Sequence, residues 1–199
     1  SPARHPVRVL ILSPTRELAD QTAEALSNYA ADTPIRIGVV YGGVDIKPQA
    51  EALRKGVEIL IATPGRLLDH LEQRNTNLNQ SGIVILDEAD RMLDMGFLPD
   101  ISRILNALPK KRQNLMFSAT FSPEIKKLAG NFLTDPVVIE VARQNATAAT
   151  IKQDVCSVNE LQKTDALVEL LKTRGEDPDG KPLQTIVFVN AKLTARRLA

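Results

Sequence analysis

Two neighbouring carboxylates follow one of the apolar runs in this sequence. The run Ile83–Leu86 ends in Asp87–Asp90, which reads Asp-Glu-Ala-Asp. Acidic side chains at the tip of a buried strand are costly unless a cation meets them, and Mg²⁺ on phosphate oxygens needs only one or two carboxylates. We therefore expect Asp87 to hold a hydrated Mg²⁺ and Glu88 to orient or deprotonate a water that attacks a γ-phosphate. The competing interpretation is that Asp87 merely caps the next helix.

A second apolar run, 114–117, ends in Ser118-Ala119-Thr120. Hydroxyl side chains at a neighbouring strand tip can hydrogen-bond the carboxylates and fix the position of a phosphate. The alternative is an N-cap ahead of Ser122-Pro123. Next to the acidic run, the functional interpretation is favoured.

Two further runs end in a shared arrangement of a hydroxyl residue, a proline, a spacer and an arginine. These are Ser13–Arg16 and Thr63–Arg66. Free N–H groups and a guanidinium at a helix start form an anion site. Two such sites on one edge suit two phosphates of a polymer better than one nucleotide, and Gly42-Gly43 offers a third place where backbone can approach closely. Ordinary capping with exposed arginines is the alternative.

Short apolar runs and amphipathic stretches alternate along the chain, as in an α/β fold with a parallel sheet and right-handed crossovers. Ligands then bind at the carboxyl ends of the strands. Strands are predicted over 7–12, 35–41, 57–62, 83–86, 114–117 and 137–141, and helices over 14–30, 49–55, 66–72, 99–108 and 123–132.

A polar, aperiodic stretch near residue 144 predicts a linker. We expect a first domain over 1–143, a linker over 144–151 and the beginning of a second α/β domain over 152–199. The second part should contain strands at 153–158 and 185–189, a helix at 160–172 and a helix that starts at Lys192. The Gly-Lys of the loop 175–182 does not make a phosphate loop, because the loop is acidic and Pro182 replaces the hydroxyl that binds the metal.

Composition excludes several classes of protein. Lys and Arg number 25 against 24 Asp and Glu, so a polybasic nucleic-acid binder is excluded and any such contact must come from a local patch. The single cysteine, Cys156, permits no intrachain disulfide and is expected to be a small packed side chain. His5 and His70 are expected on the surface. No membrane span is expected, and a cytoplasmic location is predicted.

The motifs together resemble those of the DEAD-box RNA helicases, most closely the bacterial RhlE-type group. Motifs Ia, GG, Ib, II and III are matched in order by Pro14–Ala19, Gly42-Gly43, Thr63–Arg66, Asp87–Asp90 and Ser118–Thr120, and motif IV by Ile186–Asn190. The resemblance implies two RecA-like domains, each a parallel sheet flanked by helices, that close over ATP and single-stranded RNA.

The resemblance also implies roles for individual residues. Asp87 and Glu88 would serve Mg-ATP hydrolysis, and Ser118 and Thr120 would couple hydrolysis to local unwinding, with Asp90 as their partner. The RNA sugar-phosphate backbone would be held by Pro14, Thr15, Arg16, Gly42, Gly43, Thr63, Pro64, Gly65 and Arg66. Such contacts carry little base information, so weak sequence preference is expected. Proteins of ribosome assembly or RNA decay are the partner classes considered.

The sequence departs from the family pattern in one respect that bears on activity. No Gly-x-x-x-x-Gly-Lys-Ser/Thr loop and no Q motif precede Val7, and the late arginine motifs of the second domain are absent. We therefore expect the 199-residue chain to have negligible ATPase activity, as part of a longer helicase. The alternatives are a catalytically dead RNA-binding clamp or scaffold and a DNA helicase of the same superfamily.

Overall fold

The computed structural model describes residues 5–141, 154–174, 181 and 183–198. The chain divides into two compact units, Ser1–Asn145 and Ala146–Ala199. The predicted linker 144–151 and most of the loop 175–182 lie outside the described residues. No described helix has the length and apolar character that a membrane span requires.

The first unit is built on a parallel sheet of five strands. The strands are β1 (Val9–Leu12), β2 (Ile37–Val40), β3 (Ile59–Ala62), β4 (Ile83–Leu86) and β5 (Gln113–Met116). Their order across the sheet is β2-β3-β1-β4-β5. The predicted α/β architecture is confirmed, with each strand within two residues of its predicted start.

Six helices connect and flank the strands. They are α1 (Arg16–Tyr29), α2 (Ile46–Lys55), α3 (Pro64–Glu72), α4 (Ala89–Asp94), α5 (Leu98–Asn106) and α6 (Pro123–Phe132). Thr15 caps α1, Asp45 caps α2 and Ser122 caps α6, each through a side-chain oxygen that accepts a backbone N–H. Since Ser122 itself caps α6, the Ser118–Thr120 triplet is not that cap.

Alternation along the strands separates the two faces of the sheet. Leu10 and Leu12 point into the larger cluster, which includes Met92, Ile101 and Ile104 from α4 and α5. Ile11 and Ile61 point to the opposite face, where Ala19 of α1 packs against them. The sheet is therefore covered on both faces, as its continuous apolar runs predict, but the second cluster is much the smaller.

The predicted strand 137–141 is absent, and this prediction was wrong. Val137 is 88% and Ile139 82% exposed, and neither pairs with a strand among the described residues. The segment instead forms one wall of a groove of about 550 Å³, whose other wall is the Met116 end of β5. A β-branched run becomes a strand only where a neighbour completes its hydrogen bonds, and here none does.

The second unit contains helices but no described strand. A 3₁₀ turn (Glu160–Gln162) leads into α7 (Lys163–Arg174), and α8 spans Lys192–Leu198. Both predicted helices are present. The strands predicted at 153–158 and 185–189 do not form over their described residues, where Val155 and Phe188 are almost fully exposed, because no neighbour pairs with them. Cys156 is exposed, so its predicted packing was wrong.

Candidate active site

The register of the sheet brings all five strand ends into line. Leu12 pairs in register with Ala62 and Leu86, and the ladder continues outward to Val40 and Met116. Adjacent strands lie about 4.8 Å apart, so the edge measures about 19 Å from the first tip to the last. The residues that follow the strands in order across the sheet are Tyr41, Thr63, Ser13, Asp87 and Phe117. The acidic and Ser-Ala-Thr motifs therefore occupy one half of the edge, and the glycine and arginine loops occupy the other.

Asp87 is the first residue beyond β4 and is half-buried. Burial raises the pKa of its carboxyl, and the charge of Glu88 raises it further, while the Glu88 N–H donates to Oδ1 at 3.1 Å and opposes this. Asp87 accepts no hydrogen bond from Arg91 or Met92 in the described structure, since the Arg91 N–H donates to Asp90 Oδ1 and the Met92 N–H to the Glu88 carbonyl. The helix-capping alternative for Asp87 is therefore wrong.

Glu88 connects β4 to α4 in a left-handed conformation, with φ 47° and ψ 54°. This region is unfavourable for a residue with a Cβ, and such backbone persists where the surrounding structure holds it, often at functional sites. The turn leaves the Glu88 carboxylate partly exposed, with Arg91 Nη1 at 3.2 Å from Oε2. Both carboxylates line the groove beside β5.

Asp90 joins the acidic motif to the Ser-Ala-Thr motif. Its Oδ2 accepts the Thr120 N–H at 2.9 Å, and its Oδ1 accepts the Arg91 N–H at 3.0 Å. Burial acts to raise the pKa of Asp90, but the hydrogen bonds from Thr120 and Arg91 outweigh it and lower the pKa. The Ser118 hydroxyl donates instead to the Thr120 carbonyl, at 2.8 Å. Of the two motif III residues expected to pair with Asp90, Thr120 is thus the one that forms a hydrogen bond with it.

The first helix start presents an exposed arginine. The Thr15 hydroxyl accepts the Leu18 N–H at 3.4 Å, and Arg16 is the first residue of α1. The Arg16 guanidinium lies 5.1 Å from the centre of the Tyr41 ring and 3.7 Å from the Asp20 carboxylate. With a side chain 52% exposed, Arg16 is available to an anion at the edge.

The second helix start differs from the first. Pro64 is the first residue of α3, whereas Pro14 precedes α1, and the Thr63 hydroxyl makes no capping bond. Arg66 is only 12% exposed, and its Nη2 donates to the Val44 carbonyl at 3.0 Å. At this helix start the alternative of ordinary capping with an exposed arginine is therefore wrong, because a two-residue offset in the helix start turns the Arg66 side chain inward.

Gly42 and Gly43 leave open space at the end of β2. A Cβ at either position would have no protein atom within 4 Å, and Gly43 has φ +81°, which favours glycine. The backbone of this loop is therefore free to contact a ligand. Tyr41 and Val44, the residues on either side, are both held by side chains of other elements.

His70 is fully buried on α3, so the prediction that it lies on the surface was wrong. Burial lowers the pKa of the ring, as does the charge of Arg66, while Asp69 opposes the shift. The signal was available in the sequence, since His70 lies three residues after the buried Leu67 and so shares its helix face. His5 is half-buried against Glu58.

The residues at the edge fit a hydrated divalent cation. Asp87 is a partly desolvated carboxylate next to a second one, and no cationic side chain of the described residues pairs with it. Mg²⁺ keeps several waters and takes only one or two carboxylates, so Asp87 would be a sufficient protein partner for it.

Comparison with known proteins identifies the family. The DEAD/DEAH box helicase family matches residues 2–128. The ATP-dependent RNA helicase DBP2 of Vanderwaltozyma polyspora is 45% identical over 195 residues, covering 98% of this chain and 43% of that protein. The DEAD-box ATP-dependent RNA helicase RhpA of Helicobacter pylori is 40% identical over 194 residues, covering 98% of this chain and 38% of that protein. The chain thus spans less than half the length of these relatives.

Solved structures give the same result. A DEAD box protein from the hyperthermophile Methanococcus jannaschii is similar with a TM-score of 0.64 and 41% identity, over 83% of this chain and 44% of that one. A hypothetical ATP-dependent RNA helicase from Sulfolobus tokodaii has a TM-score of 0.61 and 37% identity, over 65% of this chain and 39% of that one. The RhlE-type subgroup stays a prediction. With its motifs aligned on one edge of a RecA-like sheet, this chain belongs to the DEAD/DEAH-box helicase family.

Proposed function

We propose that this chain is part of an ATP-dependent RNA helicase that hydrolyses ATP to remodel or locally unwind RNA. The observation that carries the proposal is the division of one sheet edge into two halves. The acidic and Ser-Ala-Thr motifs are joined there by the bond from Thr120 to Asp90, and the glycine and arginine loops lie immediately beside them.

In this proposal Asp87 holds Mg²⁺ through its waters, and Glu88 orients the water that attacks the terminal phosphate. The metal would neutralise charge that develops on the phosphate oxygens during transfer. The groove beside both carboxylates, with a volume of about 550 Å³, supplies space for a nucleotide.

RNA would bind along the β2–β3–β1 half of the edge. The exposed Arg16, the open Gly42-Gly43 loop and the free N–H groups at the start of α3 all present donors to an anion. Thr15 and Gly65 would lie at this surface half-buried, and the buried Pro14, Thr63 and Pro64 would support it from below. Arg66 would act mainly on the loop that it binds.

The bond between Asp90 and Thr120 would transmit the state of the nucleotide to motif III. The donor of this bond follows β5 and its acceptor follows β4. A shift of one strand relative to the other would therefore lengthen or break the bond. Ser118 would act through Thr120, to whose carbonyl it donates.

The 199 residues contain no Walker A loop, so we propose that this chain alone has negligible turnover. The division into a first RecA-like domain over 1–143, a linker over 144–151 and the beginning of a second domain over 152–199 belongs to the same proposal. So do a cytoplasmic location and partners from ribosome assembly or RNA decay.

The proposal is tested by RNA-stimulated phosphate release in a full-length enzyme that contains this segment. RNA should stimulate release more than DNA of the same sequence, and Glu88→Gln should abolish it while ATP and RNA still bind. The matched control is Glu51→Gln, an exposed glutamate on α2. RNA binding without hydrolysis would favour the clamp, and equal stimulation by DNA would contradict the RNA assignment.

A further inference from the structure

A chain of polar side chains runs beneath the Gly42-Gly43 loop. Gln49 on α2 is half-buried, His70 on α3 is fully buried, and Asn75 after α3 is 1% exposed. Burying polar groups costs free energy unless their hydrogen bonds are made. In this chain each group has a partner, and the partners lead to the backbone of the loop.

The hydrogen bonds run in one direction, which is set by an arginine. Arg54 Nη2 can only donate, and it donates to Asn75 Oδ1 at 2.8 Å, which leaves Asn75 Nδ2 facing His70 Nδ1 at 3.1 Å. An amide nitrogen also only donates, so Nδ1 accepts and the proton of the neutral ring lies on Nε2. Nε2 then donates to Gln49 Oε1, 3.3 Å away.

The Gln49 carboxamide connects this series of hydrogen bonds to the backbone of Tyr41. Its Oε1 accepts the Tyr41 N–H at 3.2 Å, and its Nε2 donates to the Tyr41 carbonyl at 3.1 Å. Because β2 is an edge strand of the sheet, the carboxamide takes the place that a further strand would occupy. It thereby fixes the backbone at the residue immediately before Gly42.

Helix α3 holds the loop at both ends. His70 acts on the entry through Gln49, and Arg66, one turn earlier on the same helix, binds the Val44 carbonyl at the exit. The charged groups around the ring are Arg66 and Asp69 on α3 and Arg54 on α2, the last acting through Asn75.

We propose that Gln49 and His70 are positioning residues for RNA binding, which hold the Gly42-Gly43 backbone in register with the start of α3. They touch no RNA themselves. The proposal rests on the RNA-binding role assigned above to this half of the edge. A loop held at only one end would sample more conformations, and ordering it would then cost binding free energy.

The test uses the 199-residue chain and a short fluorescein-labelled oligouridine, with binding measured by anisotropy over a range of salt concentrations. His70→Phe fills the space of the ring without its hydrogen bonds, and Gln49→Leu releases Tyr41 directly. We expect each to weaken binding about threefold to tenfold, the equivalent of about one hydrogen bond. The slope of affinity against salt should not change, because no phosphate contact is lost. His5→Phe, at the other histidine, is the control and should bind like the unsubstituted chain.

Two further measurements separate positioning from a purely structural role. Amide exchange at residues 41–44 should quicken in both variants, at a temperature where circular dichroism shows them folded. The ¹⁵N shifts of His70 in the unsubstituted chain should show the Nε2–H tautomer, a result that needs no variant to fold. A proton on Nδ1, or unchanged RNA affinity in both variants, overturns the proposal. Failure of the unsubstituted chain to bind RNA at any salt concentration contradicts instead the RNA-binding role proposed for the β2–β3–β1 half of the edge.

Discussion

Asp87 and Asp90 lie in the same acidic motif, yet replacing each by asparagine should change stability in opposite directions. Burial and the neighbouring Glu88 raise the pKa of Asp87, so its ionised form is disfavoured in the folded protein. Asparagine keeps the oxygen that accepts the Glu88 N–H and removes the charge. We expect Asp87→Asn to raise the free energy of unfolding at neutral pH by about 0.5–2 kcal/mol, the usual range for a stabilising substitution.

Asp90→Asn should destabilise the protein. Each carboxylate oxygen of Asp90 accepts one N–H, from Arg91 and from Thr120, and asparagine has only one oxygen to offer. One N–H would then face an NH₂ group, at a cost of about 1–3 kcal/mol. In a domain of this size the loss corresponds to a fall in Tm of about 2–10 °C.

The pH dependence of the two variants follows from the same shifts. The folded-state pKa of Asp90 is lowered, so its stabilisation is present above the unfolded pKa, about 3.9, and is lost as pH falls through the folded value. The folded-state pKa of Asp87 is raised, so its penalty develops as pH rises from the unfolded pKa through the folded value. In acid, where both carboxyl groups are protonated, the part of each stability change that comes from the carboxylate charge should therefore disappear.

Urea denaturation followed by circular dichroism at neutral pH and at about pH 3 measures both effects. The reasoning is refuted if Asp87→Asn lowers stability at neutral pH. It is also refuted if the stabilisation by Asp87→Asn is as large in acid as at neutral pH.

Four substitutions test the edge itself. In a full-length enzyme, Glu88→Gln should lower kcat by about 100-fold or more while RNA affinity holds, and an unchanged kcat in a single-turnover assay would rule out its role with the attacking water. Arg66→Ala should weaken RNA binding by about 1–3 kcal/mol and also lower Tm, because the Val44 carbonyl loses its donor; normal affinity at fixed salt would contradict this. Gly43→Ala should lower the free energy of unfolding by about 1–2 kcal/mol, because Gly43 has a positive φ. Gly42→Ala should weaken RNA binding with little change in Tm. Equal Tm values for the two variants would count against the strain argument.

Much of the fold and of the candidate site could be predicted from local sequence. The strands are short and, apart from β5, almost entirely apolar, and the motif that each presents begins within two residues of the strand end. Ligands bind at the carboxyl ends of parallel strands. Predicting where the strands end was therefore enough to identify Asp87 and Ser118 as candidate site residues.

Other features depended on contacts that the sequence does not contain. Residues 137–141 have strand composition but no neighbour to pair with, and the same holds for 185–189. The stretches 13–16 and 63–66 follow the same pattern, yet α1 starts two residues later in its motif than α3 does, which exposes Arg16 and buries Arg66.

The sequence alone determined the ends of the five strands to within one residue and the motif that follows each, because periodicity and the residues at a strand tip are local properties of the chain. The order β2-β3-β1-β4-β5 was decided only in the tertiary structure, since pairing joins strands that are far apart in sequence and nothing in a run of Val and Ile names its neighbour. That order sets the Asp-Glu-Ala-Asp motif between the arginine loop of β1 and the Ser-Ala-Thr motif of β5. It is this placement that turns five separate motifs into one site.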